Sequence, residues 1–181
     1  MKRMTMGRLL KTLLYSLVTI VILGGCSDQD EAVEWIFFSE ITSDAGEEVE
    51  EKFKDMEGDS FTMHFYAAVY ERLIGEIASH NGDILFVEAD MLTPATFDIE
   101  GLLPLNSAVE KGKEIPEEYK GFDPDTGEKN IYALPIDENS VLLKHFGVSL
   151  DKPLVALVPI YSEQHEVSIE ALKQLSKLSG K

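Results

Sequence analysis

The stretch Val33-Glu34-Trp35-Ile36-Phe37-Phe38 constrains the chain most, because five of its six residues are apolar and no alternation leaves it a polar side. Such a run is too short for a helix and reads as a strand buried on both faces. A strand of that kind needs a layer packed above it and another below. The next segments suggest what those layers are. Asp44 precedes Glu47 by three, a capping-box-like start, and Val49, Phe53 and Met56 recur at i, i+4 and i+7 in an amphipathic helix that ends at Gly58. Phe61, Met63 and Phe65 alternate with Thr62, His64 and Tyr66, predicting a second strand. Val69, Leu73, Ile74 and Ile77 form a second helical stripe up to Asn81-Gly82, and Ile84 to Val87 is a third strand.

Strands alternating with helices of about ten residues predict successive right-handed βαβ units. The expected fold is therefore a single α/β domain over residues 33–181, with a mostly parallel central sheet and helices on both faces. After Asp90 the pattern loosens into Thr93-Pro94, Gly101 to Leu105, and a charged stretch from Glu110 to Lys120. A turn at Asp123-Pro124-Asp125-Thr126-Gly127 leads into Ile131 to Ile136. Leu154 to Ile160 reads as a further strand, with Pro159 marking an edge or a strand end. Ser168 is the expected cap of a last helix bearing Ile169, Leu172, Leu175 and Leu178.

Ahead of this domain, residues 1–25 hold Lys2, Arg3, Arg8 and Lys11, no acid, and an 11-residue apolar run from Leu13 to Leu23. That is the charged and apolar order of a secretory signal, and the run falls short of the roughly 20 residues that span a bilayer. The run closes with Leu23-Gly24-Gly25-Cys26, which resembles the lipobox of bacterial lipoproteins. The resemblance implies cleavage before Cys26, acylation of its thiol, and a domain anchored at the extracytoplasmic face of the cell membrane, and the acidic patch from Ser27 to Glu34 reads as a short tether, the lipidated segment being residues 26–32. Two or more acyl chains make a stable anchor. Cys26 is the only cysteine, so no disulfide forms within the mature chain. Of the 16 basic residues four lie in the leader, leaving 12 against 33 acids in the mature protein. So acidic a surface repels nucleic acid and anionic headgroups.

The order of the domain's segments resembles the first lobe of the extracellular solute-binding proteins of bacterial ABC transporters. The matching pieces are Trp35 to Ser39, the helix with Phe53, Gly82 to Val87 with the loop bearing Asp90, Gly101 to Leu105, Ile131 to Pro135, and Val155 to Leu175, where Ser162 to His165 precedes an Ala-bearing helix. The resemblance implies ligand binding or transport association, with an ABC permease as a partner. It also shows a departure: only about twenty residues lie between Pro135 and Val155, where a whole second lobe belongs. One chain then offers at most half of a closed site, which leaves room for a homodimer or for an envelope interaction protein without a small-molecule site.

In an open parallel sheet, ligands meet the loops beyond the carboxyl ends of the strands. Those loops carry Ser39, Glu40, Thr42 and Ser43, then Ala67 to Tyr70, then Glu88 and Asp90; Ser39, Glu40, Thr42, Tyr70, Glu88 and Asp90 are the candidate ligand contacts. Their carboxylates oppose an anion and suit a small polar or cationic ligand. Asp123, Asp125 and Gly127 fail the calcium-loop pattern at Gly127, Glu128 and Leu134, so a reverse turn is expected there. His64, His80, His145 and His165 fall in no metal-ligand spacing, and neither a nucleophile elbow nor a phosphate loop occurs. Binding rather than catalysis is expected, with no metal and no cofactor.

If Cys26 is the acylation site, Cys26→Ser abolishes acyl labelling and blocks maturation by the lipoprotein peptidase. A mature N-terminus that mass spectrometry finds elsewhere and unacylated contradicts the anchor.

Overall fold

The structure, a computed structural model, describes residues 32–41, 61–136, 138, 140–147 and 150–177. The chain divides into two units, Met1–Glu31 and Ala32–Lys181, and every described residue lies in the second. Cys26 and its leader, the helix expected over 44–58, and Thr42 fall outside the described residues.

The apolar run becomes strand β1 (Val33–Phe38), and the alternating segment becomes β2 (Phe61–Tyr66). Helix α1 (Tyr70–Ala78) follows, then β3 (Ile84–Glu88), buried at every position. From Ala89 to Tyr119 the chain runs through four short 3-10 turns, and β4 (Lys120–Phe122) and β5 (Lys129–Ile131) form a separate antiparallel hairpin. The chain then supplies β6 (Leu134–Ile136), α2 (Val141–Phe146), β7 (Leu154–Leu157) and α3 (His165–Lys177). The main sheet has the order β2-β1-β3-β7-β6.

This order corrects the expected mostly parallel, helix-flanked α/β fold. β1 pairs parallel with β2 and β3, but β7 enters between β3 and β6 and pairs antiparallel with both. The sheet is therefore mixed. It is joined by a second, two-stranded sheet, and three helices of nine, six and thirteen residues are described. The physical reason is that Leu154 to Leu157 is buried on both faces, and burial records what covers a strand rather than the direction its neighbours run. The segment after Asp90 has no helical stripe to make a crossover, so the chain fills it with turns and a hairpin.

β1 sits at the centre of the parallel part. Phe37 lies directly opposite Phe65 on β2 and Phe86 on β3, and its ring stacks on both, with centroids 4.9 and 4.4 Å apart. Phe146 of α2 meets Phe37 edge-on at 5.4 Å. Two residues earlier, Trp35 stacks diagonally on Phe61, whose register partner is Val33, at 5.2 Å. Aromatic pairs in these geometries add roughly 0.5–1.5 kcal/mol beyond area burial.

Two further expectations are refined. Pro159 marks a strand end and not an edge, since β7 is an interior strand that stops at Leu157, and Pro159 makes an isolated bridge to Leu102. Ser168 does not cap α3. The helix begins at His165, and the Ser168 amide already donates to the Gln164 carbonyl at 2.9 Å from a fully buried position. It is the Ser162 hydroxyl that accepts, from the Gln164 amide just ahead of the helix. Leu172 and Leu175 are buried as the stripe predicts. Among the described residues, no helix is long and apolar enough to cross a membrane.

The turn into β3 depends on Gly82. Its φ is +84°, and an added Cβ would stand 2.8 Å from both the Ile36 and Leu85 side chains, while its amide donates to Glu34 Oε2 at 2.7 Å. Gly82→Ala therefore costs on the order of 1–3 kcal/mol through backbone strain alone, with steric displacement of Ile36 adding to it. Urea denaturation checks this, and an unchanged midpoint contradicts the geometry.

Candidate functional site

The parallel register brings the carboxyl ends of β1, β2 and β3 side by side. At the first of them, Ser39 donates its amide to the Tyr66 carbonyl at 3.1 Å, and its buried hydroxyl accepts from the Ile41 amide at 3.2 Å. Ser39 thus closes its own turn. Glu40 beside it is exposed.

The end of β3 is different. Glu88 is 3% exposed, and its Oε2 lies 2.9 Å from the Lys152 ammonium. Asp90, two residues on and open to solvent, places its Oδ2 2.8 Å from the same nitrogen. The Ala89 amide donates to the Pro153 carbonyl at 2.8 Å, which ties the segment before β7 to the 3-10 turn Ala89–Met91. The two carboxylates push the Lys152 ammonium well above the usual lysine range, Asp90 contributing most. One nitrogen therefore answers both acids.

The chain next turns at Thr93 to Phe97. The Thr96 hydroxyl donates to the Met91 carbonyl at 2.7 Å and accepts from the Thr93 amide at 2.9 Å, a side-chain-closed turn of the kind threonine favours. Thr93 Oγ1 in turn lies 3.0 Å from the Tyr70 hydroxyl at the start of α1. A groove of about 670 Å³ opens here, lined by Ala89, Asp90, Leu92, Thr93, Pro94 and Phe97 on this segment and by Glu118 and Tyr119 opposite. Its charged lining residues, Asp90 and Glu118, are both acidic, and two aromatic rings accompany them. Burial, reinforced by Glu118, pushes the Tyr119 phenol up.

Of the sequence-predicted contacts, Asp90 alone lines the groove; Glu88 meets it only through the shared Lys152 ammonium, and Tyr70 touches a lining residue, Thr93, without lining the groove itself. Ser39 and Glu40 do not line the groove, and Thr42 lies outside the described residues. Thr93, Phe97, Glu118, Tyr119 and Lys152 escape a reading of the sequence as site residues. Thr93-Pro94 is legible there only as a loosening of the pattern, and Glu118 and Tyr119 are hidden inside a charged stretch.

A second depression of about 700 Å³ is lined by Lys113, Glu114, Ile115, Pro116, Glu117, Lys120 and Ile131. Two of its charges, Glu117 and Lys120, answer one another. Glu117 bonds to Lys120 at 2.8 Å and also to Lys129, which hold its carboxyl down at about 2. The Asp123 turn is a reverse turn as expected: its Oδ1 accepts from the Asp125 and Thr126 amides at 3.0 and 2.8 Å, and Gly127 takes a φ of +70°. At the opposite end of the sheet, Glu34 and Asp83 exchange backbone and side-chain bonds, and Ser162 donates to Asp83 at 2.5 Å. His64 lies 3.1 Å from Glu34, and the ring of His80 stacks on Tyr161. Among the described residues, no group of three or more histidine, cysteine or acidic side chains could hold a metal ion.

No family model matches the chain. No solved structure matches it either. A Bacillus subtilis (strain 168) protein named "Putative lipoprotein YteS" is 28% identical over 172 residues, which are 95% of this chain and 99% of that protein. The likeness runs along nearly the whole of both chains. The relative's name supports the lipoprotein character to which Leu23 to Cys26 point, and it carries no ligand or partner.

Two tyrosines report on this interior. Burial raises the Tyr119 phenol, and burial with the nearby Glu34, Asp83 and Glu76 raises Tyr161. A phenol raised by folding contributes stability that is complete below its unfolded value near 10 and declines as pH rises through the folded value. Ultraviolet titration of the mature protein should therefore show late-ionising phenols, part of whose signal Tyr119→Phe and Tyr161→Phe remove, with stability falling above about pH 10. A late component untouched by both substitutions contradicts this placement.

Proposed function

We propose that this protein is a lipoprotein held by acylated Cys26 at the extracytoplasmic face of the cell membrane, where its domain binds a small polar or cationic molecule. One observation carries the binding part: the groove at the carboxyl end of β3, whose charged lining residues are acidic and whose walls include Phe97 and Tyr119. Concave, partly apolar sites with a few fixed polar groups are the usual form of small-molecule sites. The Asp90 and Glu118 carboxylates disfavour an anion there, and the rings offer faces to an apolar or positively charged group. Transport association follows as a role, in which the anchored domain presents its ligand to a permease at the same membrane.

A second reading, an envelope interaction protein, has its own support. Phe122 on the β4–β5 hairpin is 66% exposed and Ile160 is 54% exposed, and the β6–β7 connection is too short to carry a second lobe over the groove. A homodimer facing groove to groove would reconcile the two readings.

Thermal-shift measurements on the mature protein against metabolites and cations separate them. A ligand at one hundred times its dissociation constant adds about 2.7 kcal/mol of stability. The expected result is a stabilising ligand whose effect is lost in Phe97→Ala. A general absence of shifts, or shifts indifferent to Phe97→Ala, removes the groove as a binding site and favours the interaction protein.

A further inference from the structure

Lys152 stands at the rim of this site in a way the binding of a neutral molecule does not require. Its ammonium is within 2.9 Å of Glu88 Oε2 and 2.8 Å of Asp90 Oδ2. Two carboxylates thus converge on one point, and a primary ammonium fills it. The partners differ in their freedom. The Glu88 side chain is 4% exposed and fixed at the end of an interior strand, whereas the side chains of Asp90 and Lys152 are 57% and 50% exposed. Asp90 alone of the three also lines the groove, beside Thr93 and Phe97 and across from Glu118 and Tyr119.

Resting on the groove reading above, we infer that Lys152 is a built-in competitor for the positive end of the ligand, and that the ligand is an organic cation bearing a primary ammonium group. The incoming ammonium takes Asp90 from Lys152, which keeps its bond to the buried Glu88. Its carbon chain lies along Phe97 and Tyr119. The exchange swaps one charge-assisted hydrogen bond for another, so its cost is small compared with that of uncovering a carboxylate outright. The local charge agrees. Glu88, Asp90 and Glu118 carry three negative charges against the single positive charge of Lys152, leaving an excess that an anion would oppose and a monocation or dication would relieve. The groove is large enough for a short aliphatic diamine, and the aromatic faces add cation–π attraction for a second charged end. A divalent metal ion finds too few ligands among the described residues, because Lys152 occupies the point at which Glu88 and Asp90 meet.

The test is isothermal titration of the mature protein in detergent with 1,4-diaminobutane, with its uncharged analogue 1,4-butanediol, and with calcium chloride. The expected result is saturable binding of the diamine alone, abolished by Asp90→Asn. In Lys152→Met the diamine should bind about tenfold more tightly, the order of one charge-assisted hydrogen bond released from competition. Glu88→Gln combined with Lys152→Met removes the buried charge together with its partner, so the tightening can be read even if Lys152→Met alone is too unstable. Equal binding of the diol, weaker diamine binding without Lys152, or no diamine binding in any variant overturns the inference. A neutral ligand from the thermal-shift measurements, lost in Phe97→Ala, would leave the groove standing while this inference fell.

Discussion

The stacking of Phe37 between Phe65 and Phe86 is the contact on which the rest of the domain depends. Three rings from three parallel strands sit directly opposite one another, so the register of β2, β1 and β3 cannot slip by one residue without turning each ring to the other face of the sheet. With the register fixed, the strands end together. Ser39, Tyr66 and Glu88 then stand at one edge, while Glu34, Gly82 and Asp83 are bonded to one another at the opposite edge. The polar chemistry of the two edges differs because the connections that close them differ. A tight glycine turn closes one, and a run of short turns leaves the other open.

The open edge is where charge is left for use. The domain is strongly acidic, and several of its lysines are committed: Lys120 and Lys129 to Glu117, Lys173 to Glu170, and Lys152 to the Glu88 and Asp90 pair. Surface pairs of this kind contribute little to stability. Burial makes the Glu88 bond different, since a buried polar group left without a partner is costly. Lys152 supplies that partner from the segment before β7, so the strand whose antiparallel direction the sequence did not reveal is preceded by the residue that sets the site's electrostatics.

The legible part of this domain is the part that apolar patterns encode. β1, β2, α1 and β3 are readable from the sequence, nearly to the residue, because β1 and β3 are continuous apolar runs, β2 alternates, and α1 repeats its apolar residues at helical spacing. Leu154 to Leu157 is readable as a strand but not as an antiparallel one, because four buried residues look the same in either direction. Asp90 emerges from the rule that ligands meet strand ends, with Glu88 and Tyr70 near the groove but not in its lining. The same rule also names Ser39 and Glu40, which stand away from the groove, since it picks out the edge of a sheet without saying which turn closes on itself. Phe97, Tyr119 and Lys152 come from turns and connections whose positions depend on tertiary pairing, such as the Ala89 to Pro153 bond, and no local period announces them.

The central claim is that the carboxyl end of β3 is a binding edge and the opposite end a structural one. Amide chemical-shift mapping of the mature protein during titration with 1,4-diaminobutane tests it most directly. The account predicts perturbations concentrated at Asp90, Thr93, Phe97, Glu118 and Tyr119, with Gly82, Asp83 and Ser162 unmoved. Perturbations centred on Gly82, Asp83 and Ser162, or none that saturate, would contradict it.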